Sequence, residues 1–145
     1  VSHFKIFRLK NKSIKKMRKK ILFALKAIAV IIMLQTLFFK FSAANQSVEL
    51  FTKIAGEHEA YLRIGTGIIE LIASILLFTS KNTWLGAFMT LGVMSGAILG
   101  HITILGISHN NDGGLLFGAA VYIFIVALVV LINQRKKIFI LGKHF

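Results

Sequence analysis

The sequence contains no cysteine and no proline, and only five of its 145 residues are Asp or Glu. Without cysteine the chain has no disulfides, no thiol redox chemistry and no thiolate metal site. Without proline no helix is kinked by that residue. The scarcity of acidic residues leaves 18 Lys and Arg largely unopposed, which gives a formal net charge of +13.

Apolar residues are abundant, at 56% of the sequence, and charged residues make up 16%. Soluble globular proteins average about 45–50% and about 25%. A small domain cannot bury so much apolar sequence, since small domains bury only a modest share of their surface. Disorder is excluded because disordered segments are poor in apolar residues. The composition predicts a polytopic membrane protein whose positive charge lies outside the apolar segments.

Four segments are long and apolar enough to cross a bilayer, which requires about 20 mainly apolar residues. Residues Asn82–Asn111 and Gly113–Gln134 contain no Asp, Glu, Lys or Arg, and two earlier stretches are interrupted only by one or two charges. We predict an all-α fold, a bundle of four transmembrane helices. The predicted spans lie at about 21–41, 61–79, 83–106 and 114–133.

The distribution of positive charge predicts the orientation, because cytoplasmic loops are enriched in Lys and Arg. Nine basic residues lie in residues 1–20, and others follow the last span in a basic tail at 134–145. The connection at 42–60 is acidic, with Glu57-His58-Glu59 expected in solvent, and 107–113 carries Asp112 alone. We therefore expect a membrane domain at 21–133 with both termini in the cytoplasm.

The N-terminal basic segment has two interpretations. Phe4, Phe7, Ile14, Met17 and Ile21 form one stripe at helical spacing. The segment is then an amphipathic helix on anionic lipid headgroups, to which each cation contributes about 1 kcal/mol. The alternative is a ragged basic tail that only fixes orientation. Nucleic acid is not an expected partner, because the segment matches no recognition fold and adjoins a membrane span.

A cleaved signal peptide is an alternative to the first span, because Ser42-Ala43-Ala44 resembles a small-residue cleavage site. The long basic region, the near-spanning apolar length and Lys40 just before the site favour retention. A mature chain that begins near Ala44 in N-terminal sequencing would contradict the four-span prediction.

Polar side chains within the spans are the first candidates for a site, since each needs a partner or a cavity. In span two Arg63, Gly67, Glu70 and Ser74 recur at helical spacing and share one face. An ionised, unpaired Glu70 near mid-membrane would cost several kcal/mol. Glu70 is therefore protonated, paired across the bundle or open to water, in either a packing role or a role in proton or ligand handling.

His101 is the corresponding residue of span three, and it lies toward the outer side at the depth of Lys40, Arg63 and Asp112. A short link joins spans two and three, so the two helices should pack side by side and could bring Glu70 near His101. We predict a polar intramembrane site of Glu70, His101, Arg63 and Lys40. No single residue is assigned as catalytic, and a packing role for His101 stays open.

Gly92, Gly96 and Gly100 form two overlapping GxxxG steps in span three. Such small residues let helix backbones approach closely. We expect them to pack against a neighbour within the bundle, with contact between copies in a homo-oligomer as the alternative. No metal site is expected, because the spacing of His101, His109 and Asp112 matches no established metal motif.

Three strings resemble segments of the bacterial DoxX-like membrane proteins: LQTLFFKF at 34–41, RIGTGIIEL at 63–71 and MSGAILGH at 94–101. The family pattern has a Lys ending span one, a Gly-x-x-Glu in span two and a small-residue helix that ends in His. These features match Lys40, Gly67 with Glu70, and His101. The resemblance covers about residues 25–133 and leaves out both basic ends.

The resemblance implies a four-helix membrane bundle associated with redox complexes, because the family includes a subunit of thiosulfate:quinone oxidoreductase. It implies an accessory or quinone-associated subunit of a membrane redox system rather than an enzyme on its own. Quinone is then the expected ligand and other membrane or redox proteins are the expected partners, with Gln35 and Asp112 as secondary site candidates. The alternatives are a non-enzymatic assembly or interaction protein and a small proton-coupled transporter.

Overall fold

The computed structural model describes residues 2–135, and every regular element within them is helical. The helices are α1 (Ser2–Phe41), α2 (Asn45–Ala55), α3 (Glu59–Leu77), α4 (Thr83–Gly100) and α5 (Leu115–Asn133). A 3-10 turn, Gly56–His58, precedes α3, and a π-helical turn, His101–Leu105, extends α4. The all-α prediction is confirmed, whereas the basic tail predicted at 134–145 lies outside the described residues beyond Arg135.

Four helical segments are long and apolar enough to span a membrane. They are α1, α2 together with α3, α4 together with its π turn, and α5. Their C-terminal bounds agree with the predicted spans to within two residues. The cytoplasmic location of the termini stays a prediction.

The four long helices pack as a ring in which each contacts two neighbours. α3 lies between α1 and α4, and α5 closes the ring between α4 and α1. Small and β-branched residues fill the interior, among them Ala29, Ala73, Ala87, Ala120 and Val130. Because alanine adds only a methyl group, the helix backbones can approach closely along these lines.

The predicted connection at 42–60 contains a helix, α2, that the hydropathy pattern did not predict. Val48, Phe51 and Ala55 follow each other at three and four residues, which places them on one face. Phe51 is buried, and α2 packs against α3 and against the π turn after α4. This helix is too short and too polar to be predicted as a span, and the acidic residues of the segment predicted a solvent-exposed connection instead.

The N-terminal segment is helical rather than ragged, because α1 continues without interruption from Ser2 to Phe41, over 40 residues. Residues 2–21 are all exposed, so within the described chain nothing packs against this extension. At about 1.5 Å per residue α1 is about 60 Å long. That length is about twice the hydrocarbon thickness of a bilayer.

The close contact expected at the GxxxG steps occurs elsewhere. A Cβ atom at Gly92 or Gly96 would have nothing within 4 Å, and at Gly100 only Ile54 at 3.6 Å. At Gly86 a Cβ would lie 2.7 Å from the backbone nitrogen of Leu77. The inward face of α4 is therefore the one that carries Gly86, and Gly92 and Gly96 face outward and are exposed.

Candidate functional site

The centre of the candidate site is an ion pair between α1 and α3. The Lys40 Nζ donates to Glu70 Oε1 at 2.5 Å, and the two side chains are 13% and 3% exposed. Arg63, Gly67, Glu70 and Ser74 are all buried on α3. The predicted common face of these four residues is confirmed, and it is the face directed at α1.

Gly67 sets how closely α1 approaches α3 beside this pair. A Cβ atom at Gly67 would lie 3.0 Å from Cε1 of Phe41 and 3.4 Å from Cδ2 of Leu37. Glycine therefore lets the last turn of α1 lie against α3, one helical turn from Glu70. The Gly-x-x-Glu spacing thus places two features one turn apart on α3. Gly67 lets α1 approach closely, and Glu70 then lies within reach of Lys40 on α1.

Arg63 holds the end of α1 from the other side. Its guanidinium donates to the carbonyl oxygen of Lys40, and its Nε donates to Glu59 Oε2 at 2.9 Å. The last carbonyls of a helix have no partner within the helix, so this contact caps α1. Glu59, expected in solvent, instead has a side chain only 20% exposed and orients Arg63. Sequence reasoning missed it, although its i,i+4 spacing to Arg63 was the available signal.

α2 covers the pair. Phe51 is 8% exposed, and the centre of its ring lies 5.9 Å from Lys40 Nζ, within the range of a cation–π contact. The Asn110 amide donates to Glu49 Oε2 at 3.5 Å, which links α2 to the connection after α4. The site is therefore a buried charge pair between two spans, roofed by a short amphipathic helix.

One oxygen of this pair is unused. Within residues 2–135, Glu70 Oε2 is buried and accepts no hydrogen bond. The Thr36 hydroxyl lies close to this carboxylate but donates to the carbonyl oxygen of Met33 at 2.8 Å instead. Buried carboxylate oxygens normally have partners, because an unsatisfied acceptor carries the full cost of its desolvation. Glu70 therefore presents an acceptor for an additional donor on the same carboxylate that pairs with the Lys40 ammonium.

His101 lies apart from this cluster. Its Nδ1 donates to the carbonyl oxygen of Gly106 at 2.9 Å, and its ring packs edge to face on Phe117 with centroids 5.8 Å apart. His101 begins the π turn, and π turns often occur at functional sites. In the part of the chain that the structure describes, no hydrogen bond or ion pair joins His101 to Glu70. The direct contacts therefore join Lys40, Arg63 and Glu70 to one another, and they join His101 to Gly106 and Phe117.

The secondary candidates have other positions. Asp112 accepts backbone N–H groups of Leu116 at 3.1 Å, Gly114 at 2.8 Å and His109 at 3.1 Å. The bond from Leu116 foremost holds the pKa of the Asp112 carboxyl below its ordinary value. Asp112 thus caps the start of α5. Gln35 is exposed on α1 and does not join the cluster.

Comparison with known proteins adds no relative: no family model matches the sequence, no curated protein matches it and no solved structure matches its fold. The class of protein is therefore defined by the chain itself. It is an all-helical protein with four helices long and apolar enough to cross a membrane. Among residues 2–135, no group of three or more His, Asp or Glu side chains is arranged to hold a metal ion.

Proposed function

We propose that this protein is an accessory subunit of a membrane redox system, in which the Lys40–Glu70 pair binds the polar head of a quinone. Both termini lie in the cytoplasm, and the Lys40 end of the bundle lies at the opposite side of the bacterial inner membrane. The observation that supports the proposal best is the buried Glu70 Oε2, which has no hydrogen-bond partner among the described residues. The resemblance of this sequence to the DoxX-like family supports the redox association.

The donor and acceptor groups of the pair fit both states of a quinone head. The free carboxylate oxygen accepts a hydrogen bond from a quinol hydroxyl, and the Lys40 ammonium has further N–H groups to donate to a quinone carbonyl. Phe51 beside Lys40 offers an aromatic face to the ring. The quinone supplies the redox chemistry when bound, while the protein supplies orientation and charge.

The neighbouring residues have positioning roles. Arg63 fixes the backbone of Lys40, and Glu59 fixes Arg63, so the backbone that carries the Lys40 side chain is held by two successive polar contacts. Because the sequence has no cysteine, electrons pass to partner proteins without thiol chemistry in this chain. His101 is placed next to the roof of the site rather than on the quinone head.

The test measures quinone bound to the protein. Wild type is purified from membranes in mild detergent, and ubiquinone or menaquinone is extracted and quantified per mole of protein. Glu70→Gln and Lys40→Met should retain several-fold less quinone. Lys26→Met is the matched control, since it removes a lysine from the same helix at the opposite end of the bundle, and it should retain the wild-type amount.

A second variant separates binding from folding. Lys40→Met combined with Glu70→Leu replaces the pair by apolar groups, which usually preserves or increases stability. This double variant should be folded and free of quinone. Wild-type quinone content in Glu70→Gln and in the double variant would contradict the proposal.

A second candidate function is a non-enzymatic membrane assembly protein, which the outward face of α4 supports. Gly92 and Gly96 are exposed with open space where a Cβ would lie, so a helix of another protein or of a second copy can approach closely. Gly92→Leu and Gly96→Leu should then release co-purifying membrane proteins or change the oligomer size, with quinone content unchanged. Identical co-purifying proteins and size would exclude this function.

A further inference from the structure

The first half of α1 is an isolated, strongly basic helix. Residues 2–20 contain nine of the 18 basic residues of the chain and no acidic residue. All of them are exposed, and they continue the helix that enters the bundle at about Ile21. The extension therefore has a fixed helical phase relative to the bundle, so its faces can be compared with the inward and outward faces of α1.

The lysine-rich face of the extension is in line with the inward face of α1. Residues seven apart lie on nearly the same side of a helix. Lys5, Lys12 and Lys19 form such a line, and it continues into Lys26 and Met33. Met33 is fully buried in the bundle, and the Lys26 ammonium donates to a carbonyl of α3. Seven residues drift by about 20° around a straight helix, so Lys19 lies about 40° and Lys5 about 80° from the direction of Met33. The lysine line therefore lies on the bundle side of α1 where the extension leaves the bundle, and it turns toward the flank of α1 farther out.

The apolar face is in line with the outward face of α1. Phe7, Ile14 and Ile21 are seven apart, and their line leads to Ile28, which is 50% exposed on the outside of the bundle. The drift of about 20° per seven residues puts Ile21 about 20° and Phe7 about 60° from the direction of Ile28. Successive residues of a helix are about 100° apart, so this line lies about 160° from the lysine line. Met17, next to Ile14 and Ile21, widens the apolar face and is 56% exposed.

We propose that residues 2–20 bind the anionic lipid surface of the membrane from which α1 emerges. In the structure α1 is continuous through Arg18, but no tertiary contact holds residues 2–21, so in a membrane the extension bends away from the bundle there and lies along the bilayer. A helix that tips outward turns its outward side down, so Phe7, Ile14 and Ile21 enter the boundary between headgroups and acyl chains.

The charges of the extension fit this placement. Lys10, Arg18 and Lys20 border the apolar line and reach headgroup phosphates. The lysine line on the upper side is about one helix diameter away, which is comparable to the Debye length of about 10 Å at 0.1 M salt. It therefore still contributes to the attraction. Clusters of basic residues directly beside a transmembrane helix are typical of binding to anionic lipids.

The apolar line favours a lipid surface over a soluble acidic partner. Phe7, Ile14 and Ile21 are continuous with the outward apolar surface of the bundle, which acyl chains cover in a membrane. When the extension bends toward the membrane, its apolar line is buried among acyl chains and its basic side chains meet headgroup phosphates. Phosphates of a nucleic acid would neutralise the charges but leave the apolar line in water.

The test uses the full chain in lipid nanodiscs and a single tryptophan as probe. Trp84 is the one tryptophan of the sequence, so Trp84→Phe provides the background. Phe7→Trp places the probe on the apolar line. Leu9→Trp is the matched control, because it lies two residues away on the lysine side and also changes no charge. Quenching by brominated lipid is measured in phosphatidylcholine alone and in phosphatidylcholine with phosphatidylglycerol.

The proposal predicts several-fold stronger quenching for Phe7→Trp than for Leu9→Trp in the anionic nanodiscs. The quenching should weaken in pure phosphatidylcholine, at high salt, and when Lys10, Arg18 and Lys20 are replaced by Gln. Weak quenching at both positions in anionic nanodiscs would overturn the proposal and point to a soluble partner. Equal quenching at both positions, or equal quenching in both lipids, would overturn it as well.

Discussion

Two lysines of α1 are placed at opposite ends of the bundle and are accommodated by different chemistry. Lys26 donates to the carbonyl oxygen of Leu77 at 3.2 Å, at the C-terminus of α3, and its Nζ lies 5.3 Å from the ring centre of Phe78. Lys40 pairs with the carboxylate of Glu70 and lies near Phe51. Each ammonium thus has one oxygen partner and one aromatic ring.

The two lysines differ in whether their oxygen partner keeps an unused hydrogen-bond acceptor. A helix C-terminus offers partial negative charge on carbonyls that need a donor in any case, so Lys26 completes that end of the bundle. A carboxylate has two oxygens, and Lys40 occupies only one of those of Glu70. The Lys40 end therefore carries binding capacity that the Lys26 end lacks, which is why a ligand is proposed there.

Removal of Glu70 should have the largest effect on stability. Glu70→Ala leaves the Lys40 ammonium buried without its carboxylate, and loss of one partner of a buried pair costs about 3–5 kcal/mol. Thermal denaturation in detergent, followed by the fraction of monodisperse protein, measures the loss. The double variant Lys40→Met with Glu70→Leu should recover most of it. A double variant as unstable as Glu70→Ala would show that the pair does more than neutralise charge.

Glycine substitutions should have the next largest effect and should differ between the ends. At Gly86 an added Cβ would meet backbone atoms of α3, so Gly86→Ala has to separate α3 from α4 and should cost about 1–3 kcal/mol. At Gly67 the nearest atoms belong to the Phe41 side chain, which can rotate, so Gly67→Ala should cost less. Gly96→Ala is the control: its methyl group has open space, so the denaturation midpoint should stay the same or rise, since alanine favours a helix over glycine by up to about 1 kcal/mol. A larger loss of stability for Gly67→Ala than for Gly86→Ala would contradict this packing.

Asp112 provides a carboxylate at the Lys40 end whose two oxygens are both used, and its loss should cost about 1 kcal/mol, as for other helix caps. Its pKa is lowered in the folded protein, so its stabilisation is complete above the unfolded pKa of about 3.9 and is lost as the pH falls through the folded pKa. Denaturation of wild type and Asp112→Ala should therefore differ at pH 7 and converge in strong acid. A difference that persists in acid would point to packing instead of charge.

The smallest effect is expected for Lys26→Met. The change removes one hydrogen bond to a carbonyl that water or headgroups can reach, and a methionine fills a similar volume. The cost should be below about 1 kcal/mol, in line with a single hydrogen bond. If Lys26→Met lost as much stability as Glu70→Ala, the two lysines would not differ in the way described above.

The features that the sequence predicted are those that depend on one helix at a time. The four spans followed from apolar length with at most two charges in each, and the common face of Arg63, Gly67 and Glu70 followed from helical spacing. The contacts between helices did not follow in the same way. Gly92 and Gly96 have the spacing of a packing motif, but the rotation of α4 about its axis places Gly86 inward instead, and that rotation depends on all the neighbours together.

The site shows the same limit. Equal depth correctly grouped Lys40 with Arg63, because both lie on helices that touch. The short link between spans two and three suggested that His101 could approach Glu70, whereas the π turn directs His101 to Gly106 and Phe117. The roof over the site was missed because α2 is a short amphipathic helix within a charged segment. Its signal was the spacing of Val48, Phe51 and Ala55.

The separation of Lys40 and Glu70 along the chain has a consequence for biosynthesis. The two residues are 30 positions apart, and no acidic residue precedes Glu49. The carboxylate that pairs with Lys40 lies on α3, so until α3 docks against α1 the cost of an unpaired charge keeps Lys40 at the water boundary. It reaches its final depth only after α3 has been translated and has docked. The final depth of α1 in the membrane therefore depends on the docking of α3.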